Sequence, residues 1–207
     1  MNILTIDFET YYDSKYQLKK LTTEDYIRHP DFEVIGVSVQ INEEEPEWHT
    51  GTFEEINSEL QQYGWESSIA IAHNAMFDAA ILNWKFGISP LMWIDTLSMA
   101  RAVQKDVDVG GSLKELAQHY KLGRKGTEVL DAKGKRRVTF PKHELDKYGQ
   151  YCCNDVRLTY KLYKKLEPLV CASELRLIDC TIRMFSQPVL TLDVPGLEGY
   201  LKEIKQS

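Results

Sequence analysis

Apolar positions along this chain change period several times, and each change marks an element. Residues 2–6 (Asn2-Ile3-Leu4-Thr5-Ile6) form a short run rich in β-branched residues, which predicts a buried strand. The run ends in Asp7-Phe8-Glu9, where strand alternation turns Asp7 and Glu9 to one side and Phe8 to the other. A polar loop over residues 10–21 follows. Thr23 is then placed to cap a short helix over residues 24–28 that Pro30 stops. Residues 34–41 and 47–50 read as two further strands joined by an acidic turn, completing an antiparallel meander.

Thr52-Phe53-Glu54-Glu55 is a capping box that opens a helix with Phe53, Ile56, Leu60 and Tyr63 on one stripe, closed by Gly64. Residues 69–72 (Ile-Ala-Ile-Ala) predict a short buried strand, and the strand-helix-strand crossover makes it parallel to the first. Phe77, Ala80, Ile81 and Trp84 then recur at helical spacing up to Gly87, and residues 91–94 predict a fifth strand. Asp95 is read as a helix N-cap, and Ser112-Leu113-Lys114-Glu115 as a second capping box. Residues 142–166 predict a long helix with Leu145, Tyr148, Cys152, Val156, Thr159, Leu162 and Leu166 as its apolar stripe. Pro168 closes it. A helix with the stripe Leu175, Ile178, Ile182 and Phe185 follows, then a break at Gln187-Pro188 and a last helix carrying Leu197, Tyr200, Leu201 and Ile204. The pattern predicts an α/β fold, a five-stranded mixed sheet flanked by helices.

Composition narrows the class. With 207 residues the chain is one large domain, or one domain with an appendage. It is 43% hydrophobic and 27% charged, as an ordinary soluble protein is, and no apolar run approaches the ~20 residues that span a bilayer. Its start lacks a basic region and carries acids by residue 7, so no signal peptide is read. Four cysteines without C-x-x-C spacing are read as reduced core residues of a cytoplasmic protein. A net charge of −6 argues against a protein that coats nucleic acid non-specifically. One basic stretch stands out: Lys121, Arg124, Lys125, Lys133, Lys135, Arg136 and Arg137 against only Glu128 and Asp131. It reads as an exposed loop or hairpin suited to phosphate-backbone contact.

The acids carry the candidate chemistry. Two carboxylates side by side at a strand end raise each other's pKa unless a cation lies between them, and oxygen donors suit Mg²⁺ or Mn²⁺. The same triplet recurs at Asp31-Phe32-Glu33, but there it opens a strand, so it reads as a solvated turn with a buried Phe32. Ligand sites lie beyond the carboxyl ends of strands, which favours Asp7 and Glu9. Asp78, in the first turn of a helix just beyond the fourth strand, reaches the same edge. Tyr151 and Asp155 are four apart on the edge of the long helix's stripe, and an acid there needs a partner.

Asp7-x-Glu9 at a strand end, His73-Asn74-x-x-x-Asp78 at a helix start and Tyr151-x-x-x-Asp155 on a late helix together resemble the DEDD exonuclease superfamily, with Tyr151 marking its DEDDy branch. Residues 2–166 look most like the proofreading 3′→5′ exonuclease domain of family A (polymerase I-type) DNA polymerases, of phage type. The stretch from Glu174-Leu175 through Met184 to Leu192-Asp193 looks like the passage leading into that family's polymerase domain.

The resemblance implies a ribonuclease H-like fold, an exonuclease domain over residues 1–168, and a helical extension over 169–207 that starts a polymerase region in the same full-length chain. It implies two divalent ions, Mg²⁺ or Mn²⁺, with Asp7, Glu9 and Asp155 on the first and Asp7 bridging to a second held by Asp78. Tyr151 would orient the attacking water. Thr10, Asn74 and Phe77 match positions facing the 3′-terminal nucleotide. Where the family often places a small or acidic pair and an apolar wedge, this chain has Tyr11-Tyr12-Asp13, and which of these meets the terminal base stays open. The implied partner is a single-stranded DNA 3′ end, with no membrane, in the cytoplasm (the host's, for a phage protein). Rival readings are an exoribonuclease of the same superfamily and a catalytically silent module that positions DNA. A nucleotide-binding α/β protein is disfavoured, because no Gly-rich loop follows the first strand.

Overall fold

The structure is a computed structural model that describes residues 1–104, 109–124, 126 and 132–206. Five strands make one sheet in the order β3-β2-β1-β4-β5. β1 (Ile3–Thr10), β2 (Val34–Ile41) and β3 (Glu47–His49) are the antiparallel meander. β4 (Ile69–Ala72) and β5 (Met92–Asp95) continue the sheet parallel to β1. The carboxyl ends of β1, β4 and β5 therefore lie at one edge, which is where the acids were expected.

Local chemistry sets the helix ends. α1 (Thr23–Arg28) is capped by Thr22, whose hydroxyl accepts from the Asp25 amide, one residue earlier than the sequence suggested. α2 (Phe53–Leu60) starts on the full Thr52/Glu55 capping box. α3 (Met76–Phe86) ends at Gly87, whose φ of +66° is the left-handed turn that favours glycine. Asp95 caps α4 (Thr96–Val103), and the Ser112/Glu115 box opens α5 (Leu113–His119). α6 (Lys142–Leu166) is the long helix, followed by α7 (Ala172–Ser186) and α8 (Val194–Gln206).

α6 lies across β1, β2 and β3, while α3 packs on the other side of β1 with α7 against it and against β5. Alternation on β1 divides the two faces: Phe8 stacks on Phe86 of α3 at 5.8 Å, whereas Asp7 and Glu9 meet α6. Leu4, Ile6, Ile71, Ile81, Trp93 and Leu162 are among the fully enclosed core side chains.

Three expectations are corrected. Cys152 and Cys153 are buried, but Cys171, which precedes α7, and Cys180, which α7 turns away from the face that packs on α3, are exposed. Phe32 is only half-buried, since its turn lies at the rim of the sheet. The basic stretch, of which Lys125, Glu128 and Asp131 lie outside the described residues, keeps Lys121, Arg124 and Lys133 exposed as expected but has two of its cations tied down. Arg136 pairs with Asp31 and Glu33 and lies 4.1 Å over the Tyr11 ring, and Lys135 pairs with Glu144. The second Asp-Phe-Glu triplet thus supplies the counterions of Arg136. No helix among the described residues is long and apolar enough to cross a membrane.

Candidate active site

Asp7 and Glu9 occupy the last turns of the pleat in β1, with a bulge between Glu9 and Thr10 where the pairing shifts from Gly36 to Val34. Asp7 remains half-exposed while Glu9 is buried. Asp78 enters from the first turn of α3 and accepts a 3.0 Å hydrogen bond from the Phe8 amide, so its carboxyl is tied to the strand between the two β1 acids. Burial, and next the Asp7 carboxylate, push its pKa well above the ordinary range.

α6 closes the group from above. Asp155 is 3% exposed, and its nearest basic neighbour in the helix, Arg157, is spent on Glu45 at 2.6 Å. Tyr151 hydrogen-bonds Asp155, and its phenol is pushed far up, first by burial and then by the charges of Asp155 and Glu9. The carboxylates of Asp155, Glu9 and Asp7 all bear on this one hydroxyl, which is how closely β1 and α6 bring them together. Without metal, the phenol of Tyr151 is thus held in its protonated, hydrogen-bond-donating form.

Two participants were hidden in the apolar stripe. The Tyr148 hydroxyl donates a short hydrogen bond to Glu9 Oε2, and its phenol is also pushed far up by burial and by that carboxylate. Cys152 Sγ lies 3.3 Å from the Asp7 carbonyl oxygen and 3.5 Å from Asp7 Oδ2. The signal was available: a tyrosine hydroxyl inside a buried stripe has to find a partner, and Tyr148 stands two turns before Asp155 on the same face.

The turn before α3 is fixed by Asp95. Its carboxylate accepts from the amides of Asn74 (2.7 Å), Ala75 (3.3 Å), Leu97 (3.1 Å) and Ser98 (3.2 Å), so one side chain holds two helix starts. Asp95 is thus a structural N-cap. Asn74 sits at φ +64° in this turn and is exposed. His73 bridges Thr96 Oγ1 (2.9 Å) and the Gly111 carbonyl (3.0 Å). Thr10 Oγ1 lies 2.9 Å from the Tyr26 hydroxyl, and the half-buried Phe77 ring is 5.9 Å from Tyr26, so Thr10 and Phe77 meet at that tyrosine. The structure therefore gathers Asp7, Glu9, Asp78, Tyr151 and Asp155, while Thr10 follows Glu9 in β1, Phe77 precedes Asp78 in α3 and Asn74 lies in the turn before α3.

This donor set fits a divalent cation. One ligand atom each from Asp7, Glu9 and Cys152 lie within 4.8 Å of one another, and a cation there would offset the Asp7 charge that, after burial, raises the Asp78 pKa. A family model described as 3′-5′ exonuclease matches residues 22–170. The chain belongs to the 3′-5′ exonuclease family. The match takes in Asp78, Tyr151 and Asp155 and begins beyond Asp7 and Glu9.

No curated protein matches the chain. Among solved structures the exonuclease is similar to Brucella melitensis NrnC (15% identity, TM-score 0.63), over 89% of this chain and 81% of that one. It is similar to Trypanosoma brucei RNase D (15%, TM-score 0.67; 92% and 68%) and to the catalytic core of Trypanosoma brucei RRP6 (15%, TM-score 0.61; 93% and 50%). At such identity the likeness is one of fold, and the five-stranded mixed sheet is the ribonuclease H-like fold.

Proposed function

We propose that this exonuclease is a divalent-metal-dependent enzyme that removes nucleoside 5′-monophosphates from DNA 3′ ends and proofreads for a DNA polymerase whose polymerase region follows in the same full-length chain. One observation carries the reading: carboxylates from β1, α3 and α6, far apart in sequence, converge with two tyrosine hydroxyls at the carboxyl edge of the sheet. The polymerase part rests on the sequence resemblance over residues 2–166 and on the passage from residue 174 to 193.

Asp7, Glu9 and Asp155 would hold one ion, and Asp7 would reach a second held by Asp78, whether Mg²⁺ or Mn²⁺. Bound there, divalent ions acidify the attacking water and neutralise charge on the leaving 3′-oxygen. Tyr151, a phenol whose ordinary pKa is near ~10, orients that water by hydrogen bond rather than taking its proton. Tyr148 fixes the angle of Glu9. Thr10, Asn74 and Phe77 face the terminal nucleotide. For the base itself, Tyr11 and Tyr12 both pack against the Tyr148–Tyr151 cluster, but the Tyr11 ring is also covered by Arg136 and its hydroxyl donates to Asp13 (2.9 Å). Tyr12 is thus the aromatic for stacking on a single-stranded end. With Lys135 and Arg136 serving as braces, backbone contact falls to Lys121, Arg124 and Lys133.

A second reading, an exoribonuclease, is favoured by the fold neighbours: RNase D was solved in complex with RNA U12 and NrnC with pGG, as well as with bound Mg²⁺. A competition decides between them. DNA and RNA oligonucleotides of one sequence, labelled at the 5′ end, are mixed in equal amounts with the enzyme and Mg²⁺. The DNA is expected to shorten first; preferential loss of the RNA would replace the proposal with the second reading.

A further inference from the structure

We propose that Cys152 makes this carboxylate centre a trap for thiophilic divalent ions, with Sγ joining Asp7 and Glu9 as a third ligand to Zn²⁺, Co²⁺ or Cd²⁺. The inference rests on the reading of Asp7 and Glu9 as metal ligands and adds a soft donor to their hard ones. Cys152 Sγ stands 3.5 Å from Asp7 Oδ2. A tetrahedral ion with its usual metal–sulfur and metal–oxygen bond lengths holds those two donors about 3.6 Å apart. Glu9 brings its oxygen into the same group, all three donors lying within 4.8 Å of one another.

The buried thiol also donates to the Asp7 carbonyl oxygen at 3.3 Å, and α6 is tied down in the turn before it. Tyr148 is bound to Glu9, and Gly149 lies against the Trp48 indole, where even a Cβ would come within 2.5 Å. The neighbouring thiol serves as an internal control: Cys153 Sγ lies 3.4 Å from Ser38 Oγ and 3.6 Å from the Pro46 carbonyl.

The consequence is metal discrimination. Mg²⁺ and Mn²⁺ take oxygen donors and leave the thiol a bystander, whereas softer ions recruit the thiolate and bind more tightly, the displaced proton passing to solvent. An ion held partly by sulfur then occupies the centre and excludes the ions that support hydrolysis. Thiophilic metal would arrest the exonuclease in proportion to its occupancy.

The probe is Cd²⁺ alone, titrated into protein whose exposed Cys171 and Cys180 are changed to serine. The expected result is one equivalent bound with an ultraviolet sulfur-to-metal charge-transfer band. That band should be absent in Cys152→Ser and Cys152→Ala and retained in Cys153→Ser. A band that survives both Cys152 changes, or one that is lost in Cys153→Ser, overturns the proposal. Mn²⁺ binding, followed by electron paramagnetic resonance on the same proteins, separates the two levels. Mn²⁺ bound by wild type and by Cys152→Ser, but with no Cys152-dependent Cd²⁺ band, sinks the cysteine proposal alone. No Mn²⁺ bound by wild type sinks the metal centre and the cysteine proposal together.

Discussion

Glu9 has to present its carboxylate at one angle from a strand end that a bulge has just bent, and Tyr148 is what fixes that angle. Tyr148→Phe removes the hydroxyl and leaves the ring stack with Phe140 and Tyr151 in place. Loss of an outer partner of a metal ligand costs roughly 10–100-fold in metal affinity or activity. The variant should lose that much exonuclease activity at unchanged thermal stability, measured on a single-stranded oligonucleotide. Asp78 makes the opposite kind of prediction. Its pKa is raised in the fold, so the protonated form is the one the fold accepts. Below the ordinary carboxylate range folded and unfolded states both carry the proton and nothing is lost; as pH rises the folded state must ionise a buried acid beside Asp7. Asp78→Asn should therefore raise the Tm of metal-free protein near neutral pH, by about 2–4 °C for each kcal/mol relieved, and the gain should vanish in acid. Both readouts are a melting series with EDTA. Asp7, Glu9 and Asp78 were legible in the sequence because each sits where an element ends or begins, and Asp155, midway along α6, because an acid interrupts the edge of an apolar stripe. Tyr148 and Cys152 were not, because their partners are 139 and 145 residues away and their spacing is that of ordinary core.

At the scale of elements, Trp48 of β3 is the seat on which α6 rests. Its indole fills the space left by two glycines, Gly36 of β2 and Gly149 of α6, where an added Cβ would approach to 2.3 and 2.5 Å. Pinned from both sides, the ring cannot yield. Gly149→Ala gains roughly 1 kcal/mol of helix propensity, but overpacking costs about 1–3 kcal/mol, so the net effect should be a loss. Denaturant midpoints would record it, together with reduced activity as α6 and its Tyr151 and Asp155 lift from β1. The antiparallel meander and the parallel fourth strand followed from reading turns and one crossover, and capping residues located the helix starts to within a residue, as Thr22 against Thr23 shows. The α6 seat could not be read the same way. Nothing in the local pattern around Gly36, Trp48 or Gly149 says that three separated elements meet.

Across the whole molecule, α7 seals the β5 edge of the sheet. Arg183 donates to the carbonyls of Pro90 (2.9 Å) and Leu91 (2.8 Å), Asp179 accepts from the Trp93 amide (2.8 Å), and Trp84 Nε1 donates to the Ser186 carbonyl (2.8 Å). An unpaired edge strand invites other strands, and α7 covers it. α8 differs: none of its described residues is buried, and Leu197, Tyr200, Leu201 and Ile204 face outward. The stripe on α8 was plain in the sequence, but a stripe names no partner. The basic stretch taught the converse. Its charge suggested phosphate contact, yet Arg136 is spent on Asp31 and Glu33, acids 105 and 103 residues away.

The most direct measurement is a time course on a single-stranded DNA oligonucleotide labelled at its 5′ end, with Mg²⁺, Mn²⁺ or EDTA, for wild type and Asp7→Ala. The account predicts a ladder shortened from the 3′ end that requires the metal. In Asp7→Ala it should fall by more than the roughly 10–100-fold that an outer partner would cost. A ladder that persists in EDTA, or in Asp7→Ala at wild-type rate, would contradict a carboxylate-held metal centre at the end of β1.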